Sequence, residues 1–76
     1  MTATPDAQMW DGRPELREEI AALLATIAVY CGTGQQYAAL GNDEGLQYSL
    51  RCAIACIKNA IANYNDLVKA NREAQA

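Results

Sequence analysis

The feature that most constrains the fold of this chain is the distribution of proline. Proline occurs only at Pro5 and Pro14, so the last 62 of the 76 residues contain none. Proline disrupts a helix interior because it lacks a backbone N–H and its ring clashes with the preceding turn. Apolar residues in the proline-free part recur at helical spacing. The sequence predicts an all-α fold, with a short leader at residues 1–12 and a helical region at residues 13–76.

Two glycine-containing segments are candidates for the chain reversal. A turn at Gly41-Asn42 gives two helices of equal length, residues 13–40 and 43–70, each about 42 Å long. Asn42 or Asp43 would cap the second helix, because its side-chain oxygen accepts a hydrogen bond from a free amide. The sequence therefore predicts an antiparallel two-helix hairpin. The alternative keeps a break at Gly32–Gly34 and a short helix over residues 35–40.

Each predicted helix carries two apolar stripes, and a hairpin buries only one stripe of each helix within itself. The stripes assigned to the contact between helices are Leu16, Ile20, Leu23, Leu24, Ile27, Tyr30 and Cys31, and Leu46, Leu50, Ala53, Ile54, Ile57, Ala60, Ile61, Tyr64, Leu67 and Val68. The second stripes would stand in water, and apolar patches of that size usually mark an interface. We therefore predict a homo-oligomer, a helical bundle of four-helix units. The expected interface residues are Ala21, Ala25, Ala28, Gly32, Tyr48, Cys52, Ala55 and Cys56.

The side chains that carry most enzyme and metal chemistry are few in this sequence. The three cysteines are an odd number, which does not suit a secreted disulfide framework. Cys31 is expected level with Cys52, with all three thiols reduced and buried as small hydrophobic groups. The chain contains no histidine, and no Ser, Cys or Lys has an evident activating partner. We predict no catalytic residues, no metal site and no cofactor.

The charge balance limits the classes of partner. A net charge of −3 argues against binding of a nucleic-acid duplex, which needs a basic face. The longest apolar run ends near Cys31 and is too short for a membrane span. Acidic residues precede this run where a secretory signal would be basic. The sequence predicts a cytoplasmic protein with no membrane partner.

The positive side chains suggest a binding site for a small anion. Arg13 and Arg17 form an i,i+4 pair on the first helix, and Arg51 and Lys58 lie on one side of the second. Cations beside aromatic rings would hold an anion where two protomers meet. The candidate ligand-binding residues are Trp10, Arg13, Arg17, Arg51 and Lys58. The alternative is a solvated surface with local ion pairs.

The turn region resembles one tetratricopeptide unit over about half of the chain. The residues that fall at that repeat's spacing are Tyr30, Gly34, Tyr37, Leu40, Gly41, Leu50 and Ala53. Thr33 and Leu46 stand where the repeat usually has Leu and Ala, and the closing proline is absent. Because a stable array needs several units, the resemblance implies hairpin packing and no inherited ligand site.

Two other segments resemble the phage sponge hairpins that sequester cyclic-nucleotide signals of CBASS or Thoeris defence. The matching residues are Leu16-Arg17-Glu18, Leu23, Ile27 and Cys31 in the first helix and NAIAN (Asn59–Asn63) in the second. The family's aromatic-His motif, its Ser-Arg-Glu turn and its Trp-Ala-Asn step are missing, and an insertion follows Cys31. The resemblance implies capture of a small anionic signal at protomer interfaces.

Three classes of function follow from these features. The first is a non-catalytic binding protein that acts as a homo-oligomer and docks a protein partner, which needs only the surplus apolar stripes. The second is a sponge for a small anionic ligand, and the third is an enzyme. We rank them in that order, because the third lacks a base or metal site.

Overall fold

The computed structural model describes residues 14–75, which form two α-helices joined by a short turn. Helix α1 spans Pro14–Leu40 and α2 spans Asp43–Gln75, with 27 and 33 residues. No strand occurs between residues 14 and 75, so the all-α, two-helix prediction is confirmed. The predicted leader, with Trp10, and the first residue of the predicted helical region, Arg13, lie outside the described residues.

The chain reverses at Gly41-Asn42. Gly41 has a φ of 72°, the left-handed conformation that glycine adopts without a steric penalty. Its N–H donates to the carbonyl of Ala38 at 3.1 Å, and the N–H of Asn42 donates to the carbonyl of Tyr37 at 2.9 Å. This pair of bonds is a Schellman motif, which satisfies carbonyls at the end of α1. The Asn42 Oδ1 then accepts from the N–H of Gly45 at 2.9 Å and caps the start of α2.

Helix α1 passes through Gly32–Gly34 without interruption, so the alternative with a separate short helix is not observed. Gly34 is buried at this point. A Cβ built on Gly34 would lie 3.3 Å from the Cβ of Ser49, which is tighter than most contacts of this kind. The glycine therefore lets α2 approach closely, and packing offsets its low helix propensity.

Helix α2 extends five residues beyond its predicted end at residue 70. The segment that follows Ala70 contains neither glycine nor proline, so no residue stops the helix there. Arg72 lies in the last turn, where a positive charge favours the negative end of the helix dipole.

The two helices contact each other along one seam, in antiparallel register, with Gly34 level with Ser49. The buried or half-buried positions in each helix alternate between four- and three-residue steps, the spacing of left-handed coiled-coil packing. The α1 side of the seam is Leu16, Ile20, Leu23, Ile27, Tyr30, Gly34 and Tyr37. The α2 side is Ser49, Ala53, Cys56, Ala60, Asn63, Leu67 and Ala70.

The hairpin is a single layer of helices. The principal extents of the described hairpin are 52, 25 and 13 Å, and the smallest of these is close to the width of one helix, about 10–12 Å. Only Ala53, Ala60 and Leu67 are buried hydrophobic residues within the described range, and none of the large side chains there is completely buried. Residues 14–75 therefore leave both broad faces of this layer uncovered. Stable domains usually have at least two packed layers.

Candidate functional site

The most prominent surface of the described hairpin is a row of large apolar side chains on α2. We call this row the aliphatic face. Each of its members is between 42% and 57% exposed, although each is a residue type that is usually buried. The members are Leu50, Ile54, Ile57, Ile61 and Tyr64.

The aliphatic face corrects the predicted contact between the helices. Leu50, Ile54, Ile57, Ile61 and Tyr64 were all assigned to that contact, and the structure leaves them about half exposed. Of the predicted α2 stripe, Ala53, Ala60 and Leu67 are buried as expected. On α1, the predicted contact residues Leu24 and Cys31 are also exposed.

Small side chains replace the expected large ones because α1 already fills the seam with Leu, Ile and Tyr. Helix axes pack about 8–10 Å apart, depending on the side chains at the contact. The close approach of Gly34 to Ser49 holds these two helices near each other, so large residues on α1 are matched by small residues on α2. Ser49, Ala53 and Ala60 are these small residues. The seam therefore runs along the smaller stripe, and the larger stripe faces outwards.

A groove separates α1 from the start of the aliphatic face. Its volume is about 290 Å³, and Cys31 and Ala38 of α1 line it together with Leu46 and Leu50 of α2. Leu24 lies seven residues before Cys31 on the same line of α1 and is 56% exposed. The apolar surface therefore continues across both helices on one side of the hairpin.

The predicted oligomer-interface residues are accessible in the single chain. Tyr48 is 62% exposed. Gly32, Cys52 and Cys56 are half-buried, and Ala21, Ala25, Ala28 and Ala55 are exposed. The four exposed alanines offer less apolar surface than the aliphatic face, because each side chain is a single methyl group.

Tyrosine and cysteine side chains form a cluster beside the seam. Hydrogen bonding with the Cys52 side chain is the main reason why the pKa of the Tyr30 phenol and that of the Tyr48 phenol are raised. The negative charge of a Cys52 thiolate raises both pKa values further. Tyr30 belongs to α1 whereas Tyr48 and Cys52 belong to α2, so the cluster includes side chains of both helices.

All three cysteines are free. Cys31 is exposed, whereas Cys52 and Cys56 are half-buried, so the prediction that all three are buried is wrong for Cys31. Cys31 points into the groove and Cys52 contacts tyrosines, which places the two thiols in different environments. No group of three His, Cys, Asp or Glu side chains within residues 14–75 is arranged to hold a metal ion.

The described candidate ligand-binding residues do not converge within one hairpin. Arg17, Arg51 and Lys58 are all exposed. Gly34 of α1 and Ser49 of α2 lie at the same height along the hairpin. Counting back along α1 and forward along α2 from this pair places Arg17 level with residue 66. At about 1.5 Å per residue, it is roughly 12 Å along the axis from Lys58 and roughly 22 Å from Arg51. Trp10 and Arg13 lie outside the described residues.

A second cavity, of about 390 Å³, opens at the end of the hairpin opposite the turn. Three carboxylates and one ammonium group line it, so it disfavours an anion. The lining residues are Glu15, Leu16, Asp66, Lys69, Ala70 and Glu73.

Comparison with known proteins gave no match to any family, to any curated protein or to any solved structure. Neither helix has an apolar stretch long enough to cross a membrane over residues 14–75. The function is therefore inferred from the surfaces described above.

Proposed function

We propose that this hairpin is a non-catalytic binding protein that acts as a homo-oligomer and docks a protein partner through its uncovered apolar faces. The observation that carries this proposal is the aliphatic face, whose large side chains remain about half exposed in the single chain. Helices that bind in grooves use anchors at three- and four-residue steps, which is the spacing found here. The cytoplasm is the proposed compartment, because free cysteines suit a reducing environment.

Site-specific photo-crosslinking tests the docking function. A photoreactive phenylalanine analogue in place of Tyr64, which is 57% exposed on the aliphatic face, should form covalent adducts in cells that express the full chain. The matched control is the same analogue at Gln36, an exposed polar position on α1. Adducts that join the chain to a different protein at Tyr64 but not at Gln36 would support docking, whereas adducts that join two copies of the chain would support only the homo-oligomer. Equal yields at both positions, or none at Tyr64, would reject docking through this face.

Light scattering of the purified chain tests the homo-oligomer. We expect a mass of at least twice 8.2 kDa at micromolar concentration. A stable monomer at that concentration would reject the oligomeric part of the proposal.

Capture of a small anion, such as a cyclic nucleotide, remains the alternative. The observation that favours it is the pair of cations on α2: Arg51 and Lys58 are exposed and have no ion-pair partner within residues 14–75. They lie two turns apart, and Tyr48 precedes Arg51 by one turn. An anion that bridges two protomers would meet both cations and this aromatic ring.

A thermal-shift screen against cyclic di- and trinucleotides tests this alternative. A ligand at roughly 100 times its Kd adds about 2.7 kcal/mol to the free energy of unfolding, which gives a clear rise in melting temperature. Arg51→Ala and Lys58→Ala should abolish that rise. If no compound in the panel shifts the wild type, capture of these nucleotides is rejected.

A further inference from the structure

We infer that the aliphatic face is covered by a second copy of this chain, whose α2 packs antiparallel to the first α2 in a two-fold symmetric four-helix bundle. This inference rests on the proposed homo-oligomer and names its interface. In such a dimer a protein partner would dock on apolar surface that stays outside, and the photo-crosslinked adducts at Tyr64 would join two copies of the chain. It differs from the sequence-based expectation, which placed the interface on the Ala and Cys stripes.

The spacing of the aliphatic face is self-complementary in the antiparallel direction. With Val68, which is half-buried, the row proceeds in steps of four, three, four, three and four residues. This series is the same in both directions, so a two-fold axis near Asn59 brings each large side chain opposite another one. The facing pairs are Leu50 with Val68, Ile54 with Tyr64, and Ile57 with Ile61 of the second copy.

The area of this surface is sufficient for a stable dimer. At about half exposure, each large side chain retains on the order of 100 Å² of accessible surface. The five members of the aliphatic face and the adjacent Leu24 therefore offer roughly 600 Å² per copy. If they were completely buried, two copies would bury about 1,200 Å² in total, which is the lower limit of specific, stable interfaces. The exposed Cys31 and Ala38 beside the groove would add to this area.

Charge favours the antiparallel direction over the parallel one. The first turn of α2 contains Asp43 and Glu44, with a net charge of −2, and its last turns contain Lys69, Arg72 and Glu73, with a net charge of +1. In a parallel pair, like charges and like ends of the helix dipoles would lie side by side. In the antiparallel pair, the acidic start of each α2 lies near the basic end of the other. The row itself contains no charged residue, so two identical copies meet there without repulsion.

A second layer also completes the packing that one chain lacks. The hairpin is about one helix thick, and Ala53, Ala60 and Leu67 are its only buried hydrophobic residues among those described. Stacking two such layers converts the aliphatic face into the centre of a four-helix core.

Sedimentation velocity of the full-length chain tests this arrangement. Ile57→Lys should weaken association at least a hundredfold, because it buries a charge without a partner at the centre of the interface. The control is Ala25→Glu, on the predicted Ala stripe of α1, which should leave association unchanged. Circular dichroism at the same concentrations reports whether each variant is helical.

The double variant Ile54→Lys with Tyr64→Glu tests the direction and shows whether loss of association reflects unfolding. The two positions are ten residues apart on α2, so their charges cannot pair within one helix. In the antiparallel pair, each new lysine faces a new glutamate of the second copy, so association should recover at least tenfold relative to Ile54→Lys alone. No recovery would overturn the antiparallel arrangement, because parallel copies would place like charges together. A monomeric wild type would overturn this inference and the homo-oligomer together. An oligomer that resists Ile57→Lys but dissociates with Ala25→Glu would overturn this inference alone.

Discussion

Gly45 in the first turn of α2 should not tolerate even a methyl group. A Cβ built on Gly45 would lie 2.5 Å from Cδ1, 2.6 Å from Cε1 and 2.7 Å from Cγ of Tyr37. These atoms belong to the near side of the ring, so rotation of a flexible side-chain end cannot relieve the overlap. We predict that Gly45→Ala forces Tyr37 away from the turn and destabilises the hairpin.

Two opposing effects determine how much Gly45→Ala changes the free energy of unfolding. Replacement of glycine by alanine in a helix contributes up to about 1 kcal/mol through helix propensity, while insertion of a methyl group into a packed contact costs roughly 1–3 kcal/mol. Gly32→Ala is the matched control, because a Cβ at Gly32 has no atom within 4 Å. The free energies of unfolding of the two variants should therefore differ by about 1–3 kcal/mol, with Gly32→Ala the more stable.

Urea unfolding monitored by circular dichroism measures this difference, with all variants at one protein concentration so that any association contributes equally. A double-mutant cycle identifies the cause. In a Tyr37→Ala background the clash is absent, so Gly45→Ala should no longer be destabilising. If Gly45→Ala is as stable as Gly32→Ala with Tyr37 intact, the packing of the ring on the glycine is refuted.

Three further predictions concern single groups near the seam and the turn. Ser49 is 2% exposed and its hydroxyl has no hydrogen-bond partner among residues 14–75, so Ser49→Ala should raise the free energy of unfolding by about 1–3 kcal/mol. A lower free energy of unfolding in urea denaturation would contradict this. Asn42→Ala removes the cap of α2 and should lower the free energy of unfolding by about 1 kcal/mol. Asn42→Asp keeps a side-chain oxygen at this position and should retain most of that stability. Near-ultraviolet titration should show Tyr30 and Tyr48 ionising at higher pH than a free phenol, and Cys52→Ala should lower both pKa values. Because these pKa values are raised in the folded state, the associated stability is complete below the unfolded pKa and is lost as the pH rises through the folded pKa.

The turn could be predicted from the sequence because its signals are local. Gly41 provides the left-handed residue that ends α1, and Asn42 provides the oxygen that caps α2. The continuity of α1 through Gly32–Gly34 was harder to predict from local signals alone. Glycine opposes helix there, and only the close approach of Ser49 in the folded hairpin explains why Gly34 is accommodated.

The face of α2 that contacts α1 could not be predicted from hydrophobicity. Two stripes on α2 have the same alternating three- and four-residue spacing: the seam that contains Ala53 and Ala60, and the aliphatic face that contains Ile57 and Ile61. The periodicity of a single helix identifies both stripes, and the second is the more apolar. The choice between them depends on the sizes of the side chains on α1, and the periodicity of α2 does not report those sizes.

Size, rather than apolar character, accounts for this choice. If the aliphatic face of α2 met the Leu and Ile side chains of α1, the helices would be held further apart than in the observed hairpin, because the separation depends on the side chains at the contact. The contact of Gly34 with Ser49 would then be lost, because its atoms approach only at short separation. With the small stripe of α2 in the seam, the large side chains of α1 fill the space beside the small side chains of α2. The large side chains that remain outside suit a contact in which the helices lie further apart than in this seam, and a second α2 in the opposite direction provides a row of matching period for such a contact.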